Sequence, residues 1–144
     1  MDVSKIPTKS QPIFLADVYQ PFAEMEGDDS VKTTVVISFA SESDNIKRED
    51  FRKSRRRSFM NAAAPDVMVM TYEDDNRRAL AAREVHLTLD SVTNLTESGK
   101  PLFNLSPRKM PFDEFDDIWS ALPSVVSSAI WLAVLQVNPE WSDD

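Results

Sequence analysis

The chain has 144 residues, a net charge of −8 and no cysteine. That length suits one domain, the charge repels nucleic acid and anionic membrane on average, and the missing thiols exclude disulfides, iron–sulfur clusters and thiolate zinc sites. Two glycines, Gly27 and Gly99, are too few and too far apart for a phosphate-cradling loop or a nucleophile elbow.

Residues 1–30 mix Pro7, Pro12 and Pro21 with the acidic cluster Glu24, Glu26, Asp28 and Asp29. Proline fixes φ and removes a donor, so this stretch is expected as a largely irregular N-terminal arm. Its apolar islands, Ile13-Phe14-Leu15 and Val18-Tyr19 with Phe22, are suited to docking on the domain or on a partner. The first residues lack the apolar core of a signal peptide. Residues 31–139 are expected as a single globular α+β domain and 140–144 as an acidic tail.

Within the domain, the β-branched run Thr33-Thr34-Val35-Val36-Ile37 predicts a strand between Val31 and Ala40. Ser41, Ser43, Asp44 and Asn45 offer N-caps for a helix from about Asn45 to Met60, with Ile46, Phe51 and Phe59 as its thin core-facing stripe. Pro65 ends that segment. Val67 to Tyr72 is short and apolar, a strand or a buried turn. A second helix is expected from about Asp75 to Arg83; beyond it Val85, Leu87 and Leu89 alternate with Glu84, His86 and Thr88, which argues for a short strand, with a continuing helix as the alternative.

Gly99 marks a turn after Thr96-Glu97-Ser98. Phe112, Phe115, Ile118, Trp119 and Leu122 recur at spacings of three and four, the pattern of an amphipathic helix over 112–121. Pro123 restarts the chain into a last helix, Ser124 to about Val137, closed by Asn138-Pro139. The longest apolar run, Ala129 to Leu135, is far below the roughly 20 residues that span a bilayer. No membrane contact is expected.

Chemistry-bearing residues are sparse. His86 is the sole imidazole, so zinc sites built on paired histidines are impossible; it is expected as a solvent-facing residue on a half-buried strand. The acidic pairs Asp28-Asp29, Asp74-Asp75, Asp116-Asp117 and Asp143-Asp144 lack the spaced loop of a calcium site. No catalytic residue, cofactor or metal is expected.

The concentrated positive feature is Lys47, Arg48, Arg52, Lys53, Arg55, Arg56 and Arg57. Without accompanying stacking aromatics it is expected as a solvated helix face paired with Glu49 and Asp50 or with the acidic C-terminal region, or docked on an acidic protein. Aromatics crowd the C-terminal third instead. Phe115, Trp119, Trp131, Leu132, Leu135 and Trp141 are the candidate partner-binding residues, Trp141 because it falls in the acidic tail where an exposed indole would anchor a contact.

From Val85 onward the chain resembles the small tail-assembly chaperones and related morphogenesis proteins of tailed bacteriophages. The resemblance rests on Val85-His-Leu-Thr-Leu-Asp through Glu97-Ser-Gly99-Lys-Pro-Leu-Phe103, the helix ending at Leu122-Pro123, and the last helix closing at Val137-Asn138-Pro139. It implies a non-enzymatic role in the host cytoplasm, holding the aggregation-prone helices of a tape-measure protein until tail subunits assemble. Homo-oligomers are compatible with it. Two other classes stay open: a structural virion protein of the tail or head–tail connector, and a small nucleic-acid-binding regulator using residues 47–57.

Overall fold

A computed structural model describes the backbone of residues 1–28, 31–62 and 65–142, and the side chains of 1–28, 31–54 and 77–142. The β-branched run forms the middle strand of a three-stranded antiparallel sheet in the order β1 (Ile13–Phe14), β2 (Thr34–Ile37), β3 (Leu89–Thr93). Val35 pairs with Ile13 on one side and Val92 on the other. Because side chains alternate across a strand, Val35 and Ile37 enter the core while Thr34 and Val36 lie on the outer face, half-buried.

Residues 1–28 are not a largely irregular arm. β1 leads into two short helices, α1 (Leu15–Val18) and α2 (Gln20–Glu26), and both Leu15 and Phe22 are core residues. Pro21 sits at the start of α2, where the missing N–H costs nothing. Only residues 1–9 are exposed throughout.

Helix α3 (Glu42–Ala62) starts three residues earlier than expected because Ser41 and Asp44 form a capping box. The Ser41 hydroxyl accepts from the Asp44 N–H at 3.1 Å and the Asp44 carboxylate accepts from the Ser41 N–H at 3.0 Å. Pro65 then opens α4 (Pro65–Thr88), which runs without a break through the stretch 67–72 expected as strand or turn. A six-residue apolar run cannot report its own period, and here it lies inside a helix of 24 residues.

The alternation at Val85, Leu87 and Leu89 misleads for a different reason. A period of two marks a strand with one dry face, but every residue from Glu84 to Leu89 is buried, and the polar ones carry their own partners. The helix therefore continues to Thr88, whose hydroxyl donates to the Glu84 carbonyl, and the strand begins at Leu89.

Ser98 and Gly99, at φ 53° and 82°, form the two-residue turn of a small hairpin, β4 (Thr96–Glu97) and β5 (Lys100–Pro101). Helices α5 (Phe112–Ser120) and α6 (Ser124–Val137) follow the expected spans and meet at Pro123. The fold is α+β. Helix α6 lies at its centre, touching α1, α2, α4 and β2, and buries Val126, Ala129, Ile130, Ala133 and Val134.

The chain end is fastened to the sheet. Asn138 is buried, its amide oxygen accepting from the Ala40 N–H at 2.8 Å and its amide nitrogen donating to the Ser38 carbonyl at 3.2 Å. A 3-10 turn, Pro139–Trp141, then folds Trp141 into the core. Among the described residues no helix is long and apolar enough to cross a membrane.

Candidate functional site

Glu84 is fully buried on α4 and organises a polar cluster between helices. One carboxylate oxygen accepts from Arg48 Nε of α3 at 2.8 Å, and the other accepts from the Trp131 indole N–H of α6 at 2.9 Å. Arg77 lies 3.8 Å from the same carboxylate and stacks its guanidinium 4.7 Å from the Trp131 ring. Arg48 in turn lies 5.2 Å from the Trp141 ring, whose N–H donates to the Asn45 side chain. A carboxylate removed from water is strongly disfavoured unless paired and hydrogen-bonded, and here both conditions hold. The cluster ties three helices together.

His86 is buried too, contrary to the expectation of a solvent-facing residue. Arg83 lies 2.9 Å from Nδ1 and the Met110 carbonyl lies 2.7 Å from Nε2. A guanidinium can only donate and a carbonyl only accept, so Nδ1 holds the lone pair and Nε2 the proton. Burial pushes its pKa below the ordinary value; the Met110 hydrogen bond opposes this, and the Arg83 and Lys47 charges reinforce it. Both nitrogens are committed, and the ring packs against Phe112 and Phe115 at 5.3 and 5.2 Å. This imidazole is placed to hold α5 on α4.

The candidate partner residues divide. Phe115, Trp119 and Trp141 are buried, so the expectation that they form a contact surface is corrected. Phe115 stacks between Phe103 at 5.9 Å and Trp119 at 5.8 Å, and Trp141 is 2% exposed rather than an indole in a free tail. Trp131, Leu132 and Leu135 remain half-buried on α6. The wide apolar stripe of that helix is mostly used, because a central helix is covered from several sides at once.

The basic run is likewise not one face. Arg48 points inward to Glu84, while Lys47 and Lys53 are exposed, and Arg52 lies 3.8 Å from Glu49. Ile46, expected in the core, is 54% exposed, while Phe51 meets Phe112 edge-on at 5.7 Å. Arg55, Arg56, Arg57 and Phe59 lie outside the described side chains.

What the sequence did not bring together is a cleft of about 550 Å³ between the β4–β5 hairpin and the corner where α5 turns into α6. Leu102, Ile118, Ala121, Leu122 and Pro123 line it with apolar surface, and Glu97 and Asp117 add carboxylates. Its shape has local causes. The positive-φ turn at Ser98-Gly99 folds the hairpin back, and Leu102 is held by a hydrogen bond from its N–H to the Leu95 carbonyl. Pro123 breaks the helical run, so Ala121 and Leu122 form a corner instead of continuing α5. Ile118 and Leu122 lie four residues apart on the expected helix, and Leu102 follows Pro101; those spacings were visible in the sequence, but their meeting was not.

Among the described residues no group of three potential ligands is arranged to hold a metal ion. Comparison with family models, curated proteins and solved structures gives no match to this chain.

Proposed function

We propose that the chain is a non-enzymatic tail-morphogenesis protein that receives an apolar helix of a tape-measure protein in the cleft between the hairpin and the α5–α6 corner. The observation that carries this reading is the cleft itself. It offers an apolar surface large enough for several side chains, with carboxylates placed to meet lysines or arginines flanking an amphipathic helix. The net charge of −8 would keep such a complex soluble. The assignment to tail assembly, and with it action in the host cytoplasm, comes from the sequence resemblance.

The test is coexpression of a tape-measure polypeptide with this chain and with an Ala121→Arg variant. Ala121 is exposed at the end of α5 and lines the cleft, so arginine there fills it without touching the core. Recovery of the polypeptide in a soluble complex with the native chain, and its loss with the variant, is the expected result. Aggregation in both cases, or equal rescue by both, would count against it.

A further inference from the structure

We propose that His86 is a pH-sensitive latch on α5: a second proton on its ring releases the front of that helix and loosens the cleft wall carrying Asp117, Ile118, Ala121 and Leu122. The latch stands on how α4 packs against α5; its bearing on partner binding rests on the cleft being the contact site.

His86 reaches from α4 to the chain just ahead of α5. Its Nε2–H donates to the carbonyl of Met110, the residue that closes the 3-10 turn Pro107–Lys109, and α5 begins at Phe112. Arg83, one turn earlier on α4, donates to Nδ1 at 2.9 Å and holds its guanidinium 5.3 Å from the Phe112 ring. Phe112 and Phe115 close over the imidazole from α5. No side chain caps the start of α5, so its first turn is seated by these contacts and by Phe51 of α3, edge-on to Phe112.

The neutral ring satisfies both neighbours, and the charged ring cannot. A proton on Nδ1 points at the Arg83 guanidinium, which has no lone pair to accept it, and sets two cations 2.9 Å apart. Among the described residues, the charged groups that act on the ring are Arg83 on its own helix and Lys47 on α3, both cations. The turn before α5 presents only the Met110 carbonyl, α5 presents two phenyl rings, and Asp44 of α3 acts on Arg83. Two motions relieve the clash. If the ring turns, Met110 loses its donor; if Arg83, which is only part-buried, swings out, Phe112 loses its cation. Either motion undoes a contact between α4 and the front of α5. Burial holds the ring neutral below the ordinary imidazole range, so the latch is closed near pH 7 and opens in acid.

The chain has a single histidine, so one imidazole signal reports the latch in an NMR titration of the labelled full-length protein. The titration runs from pH 7.5 to pH 5, with the hydrogen-exchange protection of the backbone amides read at each step. Protection in α5 should fall in step with ring protonation, while α6 and β2 keep theirs. In His86→Gln, whose amide can still donate to Met110, α5 protection should not change with pH. Arg83→Met removes the clash, so the ring should take its proton at a higher pH and α5 should stay seated as it does. A ring still neutral at pH 5, α5 protection that ignores the ring, or a loss shared equally by α6 and β2 would overturn the latch. So would an undiminished loss in His86→Gln or an unmoved midpoint in Arg83→Met. No partner enters these measurements, so a failed tape-measure assignment leaves them standing. A tape-measure helix that binds the cleft while α5 ignores the ring removes only the latch.

Discussion

Replacing Arg48 with methionine should be among the most damaging single changes in this chain, although the sequence places it in a surface-like basic run. In the native fold its guanidinium meets the Glu84 carboxylate at 2.8 Å, with 6% of the Arg48 side chain and none of the Glu84 side chain exposed. Removing one member of such a pair leaves the other charge buried and short of a partner, at a cost of about 3–5 kcal/mol. Glu84→Gln should cost a similar amount by stranding Arg48. The double variant tests the cause. Glutamine keeps an oxygen for the Trp131 N–H, and methionine removes the buried cation, so the only charge left in the cluster is that of Arg77, whose side chain is 27% exposed. The double variant should be more stable than the sum of the two losses by about 2–3 kcal/mol. Urea unfolding followed by tryptophan fluorescence reads this directly: at a slope of about 2 kcal/mol/M, each single variant shifts its midpoint down by about 2 M. Single losses below about 0.5 kcal/mol, the range of ordinary surface substitutions, or strictly additive losses would refute the account of the cluster.

His86 predicts a pH dependence with a definite sign. Its folded pKa is depressed by burial, so its contribution to stability is complete above the usual value of about 6.5 and is lost as pH falls through the folded pKa. Thermal unfolding from pH 7.5 down to pH 5 should show this loss in the native chain and a reduced slope in His86→Gln; parallel curves would contradict it. Asn138→Ala should lose about 1–3 kcal/mol, because it removes the partners of the Ala40 N–H and the Ser38 carbonyl, measurable as a lower urea midpoint with an unchanged slope. Duplex DNA titrated at low salt should show no submicromolar binding, since Arg48 is withdrawn from the basic run and the net charge opposes the rest. Tight binding with a steep salt slope, abolished by replacing Lys47 and Lys53 with alanine, would favour the regulator instead.

Much of the fold was legible because period and punctuation agreed there. The strand at Thr34–Ile37, helices α5 and α6, the Gly99 turn and the break at Pro123 each carry a local signal strong enough to survive tertiary packing. The failures at 84–88 and at Arg48 share one physical cause: buried polar residues with private partners. Glu84, His86 and Thr88 look like the wet face of a strand, yet each is satisfied inside the protein, so the helix runs on through them. Arg48 looks like surface for the same reason, since its partner lies 36 positions away. Trp141 seemed stranded in an acidic tail, but Asn138 pins the chain to the end of β2 and the 3-10 turn folds the indole inward. The cleft was illegible for a further reason. Its lining comes from two segments, 96–102 and 117–123, and only their juxtaposition in space makes an apolar surface with a carboxylate edge.

The most direct measurement of the central claim is an amide chemical-shift map of the isotopically labelled chain titrated with a peptide from the apolar helix of the tape-measure protein. If the cleft is the contact site, the amides of Thr96, Glu97, Leu102, Ile118, Ala121 and Leu122 should shift together and saturate, while those of Lys47, Lys53, Leu132 and Leu135 stay in place. Saturable shifts confined to Leu132 and Leu135, or to Lys47 and Lys53, would contradict it and move the site to α6 or α3.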